Sequence, residues 1–294
     1  MNNVRLCFVL LHYKTFDDTE KCVDSMKSLE EPCHIIIVDN FSDNGSLEKI
    51  REKYEDEDNI FIIENEKNLG YAEGIQKGYS YARNYLHDRM IVCTNNDIVI
   101  RDKDFVERVY QSFEKSGFHV AGPDIISLVD AGHQNPMQIT SKNLKDVKKE
   151  INRYRMLYFL SKIGIYDILK KNKDRIEHKH KGVTLHKPKE KIIMETPERA
   201  EGVCLFGACY IFSPKFVNVE KRGFRAGTFL YMEENIMYKY CKKKHYKVLY
   251  DPSIRIYHKE DSSTNTIFPK NKEKREFIFK NMIQSLKEYC KYME

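Results

Sequence analysis

The residues able to do chemistry stand in a few short stretches, each at the end of an apolar run or the start of a helical pattern. Asp39 closes IIIVD, where a carboxylate either accepts hydrogen bonds from a nucleoside base or ribose, or caps a turn. Asn68-Leu69-Gly70-Tyr71-Ala72-Glu73-Gly74 brings a glycine-bearing turn to a helix N-terminus, where backbone can approach an anion closely. Its spacing matches neither the dinucleotide pattern GxGxxG nor the phosphate loop GxxxxGKS/T, so both of those nucleotide folds lose weight. Asn95-Asn96-Asp97 offers oxygen ligands at a strand tip, a setting for Mg2+ or Mn2+ against a diphosphate, or for an Asx turn. Glu233-Glu234 opens a helical pattern. Successive helical residues point about 100° apart, so one carboxylate can face a cleft as a base while the other pairs or caps. His258 closes IRIYH, a position from which an imidazole ligates a metal, meets a phosphate or rests on the surface.

These residues need a frame. Apolar runs over 4–11, 34–38, 59–63, 90–94 and 119–126 predict strands. Helical patterns over 18–29, 46–54, 71–86 and 102–115 fall between them. The alternation predicts an α/β fold with a parallel sheet covered on both faces. In such sheets ligands bind beyond the carboxyl ends of the strands, where His12, Tyr13, Asp39, Asn40, 65–74 and 95–97 stand. After 126 the rhythm breaks. Residues 143–171 predict one or two amphipathic helices, 203–212 a strand, 231–244 a helix, KVLYD and IRIYH two strands, and the tail from 270 a charged amphipathic helix. The predicted organisation is 1–141 and 192–269 as two halves of one catalytic domain, 142–191 as a basic helical insertion and 270–294 as a C-terminal helix.

Composition bounds the function classes. With 294 residues, 41% of them hydrophobic, and only 13 Gly and 8 Pro, the chain can bury a sizeable core and is neither disordered nor collagen-like. A net charge of +6 is too mild for a dedicated nucleic-acid binder. Its distribution is uneven, because 142–191 holds 16 Lys or Arg against 6 Asp or Glu. That amphipathic segment either lies on anionic lipid or a lipid-borne diphosphate, or packs as a hairpin on the domain or in a homo-oligomer contact. No apolar run reaches the ~20 residues of a membrane span. MNNVRLCFVLLHY is too short in its apolar part, and lacks the cleavage site, of a signal peptide. The 8 Cys include no CxxC pair, as expected for reduced, mostly buried thiols of a cytoplasmic protein.

In their order, VLLHY, IIIVDN, ENEKNLGYAEG, CTNNDI, GVCLFGACYIFSPKF, FLYMEENIMYKYCKKKHYKVLYDP and IRIYHKEDSST resemble the family 2 glycosyltransferases of the GT-A fold, especially the rhamnosyltransferase-like branch of bacterial polysaccharide biosynthesis. The resemblance spans nearly the whole chain and is weakest over 142–191. It implies a Rossmann-like, mostly parallel sheet flanked by helices. It also implies inverting transfer of a hexosyl group from a UDP- or dTDP-linked sugar to a glycan or polyprenyl-diphosphate-linked acceptor, in surface polysaccharide or capsule synthesis at the inner face of the membrane. By this likeness His12, Tyr13 and Asp39 line the nucleoside pocket, and Asn68 and Gly70 border the nucleotide or sugar. Asn95, Asn96 and Asp97 stand at the metal motif, where an acidic D-x-D is common and only Asp97 keeps its carboxylate. His258 completes a site for Mn2+ or Mg2+ and the diphosphate. Gly207 and Ala208 lie beside the sugar, and Glu234 is the base, with Glu233 in reserve. Two other classes compete. A sugar nucleotidyltransferase needs a Gly-rich, Arg- or Lys-bearing loop after the first strand, where LLHYKTFDD stands instead. A catalytically silent sugar-nucleotide or glycan-binding domain is suggested by the Asn residues of the metal motif and opposed by Glu233-Glu234 and His258.

Overall fold

The computed structural model describes residues 6–86, 90–137, 143–168, 197–260 and 271–293. Along the chain run β1 (Leu6–His12), α1 (Phe16–Lys27), β2 (His34–Asp39), α2 (Ser46–Tyr54), β3 (Ile60–Glu64), α3 (Gly70–Tyr81), β4 (Met90–Asn95), β5 (Ile98–Val99), α4 (Phe105–Ser116) and β6 (Val120–Ser127). Then follow α5 (Leu144–Lys162), β7 (Ala200–Glu201), β8 (Cys209–Phe212), α6 (Pro214–Val217), α7 (Glu233–Lys243), β9 (Val248–His258) and α8 (Asn271–Cys290). The strands form one sheet in the order β3-β2-β1-β4-β8-β6-β9-β5, with β7 on β9. Pairing is parallel through β3-β2-β1-β4 and again between β6 and β9; β8 runs antiparallel to both of its neighbours.

The continuous apolar runs are explained by burial on both faces. Side chains alternate along a strand, so Leu6, Phe8 and Leu10 of β1 and Ile35 and Ile37 of β2 pack on one face against Val23 and Met26 of α1, Ile50 and Tyr54 of α2, and Val109 of α4. Cys7, Val9, Ile36 and Val38 face the other way, against Ile75 and Tyr79 of α3, Phe216 of α6 and Met237 of α7. A third cluster lies off the sheet, where Val147 and Ile151 of α5 meet Ile236 of α7 and Leu286 and Tyr289 of α8. The N-terminus of α5 is capped by Asn143, whose Oδ1 accepts from the Asp146 N–H at 2.9 Å. Seven of the cysteines are buried and Cys290 is half-buried, and burial pushes the thiols of Cys22, Cys93 and Cys209 above their ordinary range. No described helix is long and apolar enough to cross a membrane.

Three local features differ from the sequence pattern. KVLYD and IRIYH form one strand, β9, because a bulge absorbs the residues between them: the register with β6 passes from Pro123 opposite Asp251 directly to Asp124 opposite Arg255. Residues 203–208 are not a strand; Asn135 captures the Phe206 N–H with its side-chain oxygen at 2.7 Å. The two-residue β5 lies in an apolar run of only three residues, Ile98-Val99-Ile100, too short to announce a strand, yet it pairs with the end of β9. Of the basic segment 142–191, the described part is dominated by α5, which packs along α8; residues 169–191 lie outside the described residues.

Candidate active site

A cavity of ≈ 630 Å³ opens beyond the carboxyl ends of β1 and β4 and is closed on the far side by α7 and α8. Of the residues given roles by the family resemblance, all but His12, Asp39 and His258 line it.

The first wall is built by strand ends. Asn95 ends β4, and Asp97 lies between β4 and β5 at the cavity edge. Asn96 turns the other way, its Nδ2 donating to Thr15 Oγ1 at 2.7 Å and Thr19 Oγ1 at 2.8 Å, which ties the β4 loop to the start of α1. His12 is fully buried beneath this floor. Its Nδ1 pairs with Thr19 Oγ1 at 2.7 Å and its Nε2 with Ser46 Oγ at 2.8 Å. Burial, opposed by the nearby Asp39 carboxylate, lowers its pKa to about 4, so the ring is neutral at physiological pH. His12 thus supports the floor, whereas Tyr13 reaches the cavity. Asp39 is 2% exposed; its Oδ2 accepts from the Ser42 N–H at 3.0 Å, and its Oδ1 has no hydrogen-bond partner among the described residues.

The Asn68–Gly70 turn is held by an asparagine cluster. Asn40 Nδ2 donates to Asn68 Oδ1 at 3.0 Å and to the Gly70 carbonyl at 3.1 Å, while its Oδ1 accepts from the Leu69 N–H and from Asn65 Nδ2. Gly70 has φ +77, and a Cβ there would stand 2.1 Å from the Phe229 carbonyl oxygen, so only glycine fits. The sequence placed Asn40 and Asn65 at strand ends without showing that they bond each other.

The second wall carries the paired carboxylates. Tyr231 and Met232 both adopt positive φ, +74 and +70, immediately before α7. For non-glycine residues that conformation stores strain, and it aims the first turn of α7 into the cavity. Glu233 is buried, and its Oε1 has no hydrogen-bond partner among the described residues. Burial raises both carboxyls above the ordinary carboxylate range; for Glu233 the neighbouring Glu234 charge adds to it. For Glu234, hydrogen bonding from its own backbone and from that of Gly207 opposes the shift and favours the ionised form. Glu234 also lies against Gly207, where an added Cβ would be 2.5 Å from its Oε1. Gly207 is itself fixed, since its carbonyl accepts from Tyr71 Oη at 3.0 Å. The next carbonyl, of Ala208, accepts from the Asn95 N–H and from Thr94 Oγ1.

His258 approaches from β9. Ile98 of β5 pairs with His258, and this register sets His258 Nε2 3.2 Å from Asp97 Oδ1. Among the described residues no three His, Cys, Asp or Glu side chains are grouped to hold a metal ion. The Asp97–His258 pair nevertheless fits two corners of one site: in an octahedron with bonds of 2.0–2.1 Å, adjacent ligands stand about 3 Å apart. The remaining corners would fall to water and to substrate oxygens, as is usual for Mg2+.

A family model described as Glycosyl transferase family 2 matches residues 7–175. Among solved structures, S. aureus TarS 1–349 in complex with UDP-GlcNAc is similar at 12% identity and a TM-score of 0.54, over 88% of this chain and 60% of that one. The mannosyltransferase PcManGT from Pyrobaculum calidifontis, in complex with GDP-Man and Mn2+, is similar at 11% identity and a TM-score of 0.52, over 88% and 58%. The chain thus spans about three-fifths of each neighbour's length. No curated protein matches the sequence. At these identities the likeness speaks for the fold, the GT-A arrangement of an α/β sheet flanked by helices. With the family match extending over more than half of the sequence, the chain belongs to glycosyl transferase family 2.

Proposed function

We propose that the protein is an inverting hexosyltransferase that moves a sugar from a nucleotide diphosphate sugar to a hydroxyl of a glycan or polyprenyl-diphosphate-linked acceptor, in the synthesis of a surface polysaccharide. The carrying observation is that one cavity joins the strand-end residues Asn95 to Asp97 on one side to Glu233 and Glu234 on the other. The nucleotide sugars bound by the two structural neighbours support the donor class. A UDP- or dTDP-linked donor would bring the imide N–H that uracil and thymine share to Asp39 Oδ1, which has no hydrogen-bond partner among the described residues.

Inversion needs an in-line displacement at the anomeric carbon. Glu234 Oε takes the proton of the acceptor hydroxyl as its oxygen forms the new bond. The bond from the anomeric carbon to the diphosphate breaks, and its electron pair leaves with the diphosphate. A carboxyl raised by burial suits that task, since burial makes it a stronger base toward the hydroxyl proton. Asp97 and His258 would hold Mn2+ or Mg2+, which when bound neutralises the charge developing on the leaving diphosphate. Gly207 and Ala208 leave room for the sugar beside Glu234.

The outward face of α5 supports a membrane-side acceptor. Met156 and Phe159 of α5, 56% and 61% exposed, and Ile163 just past its end, 49% exposed, point away from the side that buries Val147 and Ile151. Exposed Lys148, Lys149, Arg153, Arg155 and Lys162 surround them, a composition suited to anionic lipid. Cytoplasmic placement at the inner face of a membrane belongs to the same proposal.

A donor panel assayed for hydrolysis and transfer, with and without Mn2+, tests the activity. Glu234→Gln is expected to lower kcat by about 10²–10⁴-fold, the usual contribution of a general base. Near-normal transfer by Glu234→Gln, with loss in Glu233→Gln, would reassign the base to Glu233.

A further inference from the structure

The structure assigns Gln134, backed by Glu260, as a positioning residue that decides which nitrogen of His258 faces Asp97; the assignment rests on the proposed metal role of that pair. Gln134 lies 124 positions before His258, and neither its type nor its spacing marks it in the sequence. Its backbone N–H donates to the Ile125 carbonyl at 2.9 Å, in a short hairpin closed by the bridge between Ile126 and His133. β6 carries that hairpin alongside β9, with Ser127 opposite His258. Both sides of the contact are therefore held by backbone pairing.

The direction of the hydrogen bonds follows from what each group can do. Gln134 Nε2 donates to Glu260 Oε1 at 2.8 Å, and a carboxylate only accepts. This fixes the amide, so Gln134 Oε1 is the atom 2.8 Å from His258 Nδ1. An amide oxygen only accepts, so Nδ1 carries the hydrogen. In the neutral imidazole Nε2 then presents a lone pair, 3.2 Å from Asp97 Oδ1. In that neutral form two acceptors face each other, and both would serve as ligands to a divalent cation. The Asp97 backbone is tied to the same strand end, because its carbonyl accepts from the Lys259 N–H at 3.0 Å. Glu260 to Gln134 to His258 is thus a relay that presents Nε2 in its ligating form, the function that partners behind the ligands serve in metal sites generally.

The test is Mn2+ alone titrated into the nucleotide-free protein, with free Mn2+ read from its EPR signal and folding checked by calorimetry. Gln134→Leu, which keeps the volume and removes the acceptor, is expected to weaken Mn2+ binding about 10–100-fold. The exchange Gln134→Glu with Glu260→Gln rebuilds the relay in reverse, since Glu at 134 accepts from both neighbours; it is expected to bind within about threefold of wild type, rescue being the mark of positioning rather than of packing. Wild-type Mn2+ affinity in Gln134→Leu, or an exchange variant as weak as Gln134→Leu, would overturn the relay and leave the transferase proposal standing. A wild-type protein that binds no Mn2+ would overturn the metal assignment and the relay together.

Discussion

Adding a single methyl group at Gly207 is expected to disable catalysis while leaving the fold intact. A Cβ at this position would stand 2.5 Å from Glu234 Oε1 and 3.3 Å from its carboxyl carbon. Ordinary contact begins at 3.4 Å, so the carboxylate oxygen must retreat by about 0.9 Å. Gly207 cannot yield instead: its carbonyl is bonded to Tyr71 Oη, and the next residue is bonded to Thr94 and Asn95 of β4. A base misplaced by about 1 Å costs on the order of 10²-fold in rate, equivalent to about 2.7 kcal/mol of transition-state stabilisation. Gly207→Ala should therefore lower kcat about 100-fold, with the donor KM changed only a few-fold and the Tm within a few degrees of wild type. Steady-state transfer kinetics with the best donor of the panel, alongside calorimetry, measure both. A kcat within threefold of wild type would refute the placement of Glu234 as the base packed on Gly207. A double variant no slower than Glu234→Gln alone is the confirming pattern, because groups acting as a unit are not additive.

Other perturbations read the surrounding electrostatics and surface. Burial raises the Glu234 carboxyl, so kcat/KM should fall as pH drops through a limb lying above the ordinary carboxylate range; a limb within the ordinary range would refute a buried Glu234 as the base. His12 has its ordinary value of 6.5 in the unfolded chain and about 4 in the folded one, so between those values the unfolded chain binds a proton that the native state does not. Stability should accordingly fall as pH drops from 6.5 to 4, and less steeply in His12→Gln; parallel Tm profiles for variant and wild type would refute the buried neutral imidazole. Vesicles of anionic phospholipid should retain the protein at low salt and neutral vesicles should not, with Phe159→Asp losing retention; equal retention by Phe159→Asp would remove α5 from the contact.

Much of the frame was legible because burial on two faces leaves an unbroken mark. LCFVLL and HIIIVD can only be strands sunk between helices, and the residues just past them had to fall at the ligand-binding edge. The Asp97–His258 contact was legible as two strand ends but not as a pair: it depends on β5, two residues long, meeting the end of β9, and so short a strand has no periodicity to read. His12 looked like a cavity residue from its place after an apolar run. Its burial follows from Thr19 and Ser46, whose hydroxyls arrive from two different helices. Gln134 and Glu260 left no mark at all, since their function comes from hydrogen-bond direction, which residue type alone does not encode.

The position of β8 has a consequence for where this protein can be divided. The stretch that matches the family model ends at residue 175, yet β8, at Cys209–Phe212, is the strand that joins β4 to β6. Without it the sheet separates into two pieces, each ending in a buried apolar strand with bare backbone donors and acceptors. Such edges pair with other chains and nucleate aggregation. The stretch matched by the family model is therefore not an autonomous folding unit, because four residues from beyond it join β4 to β6.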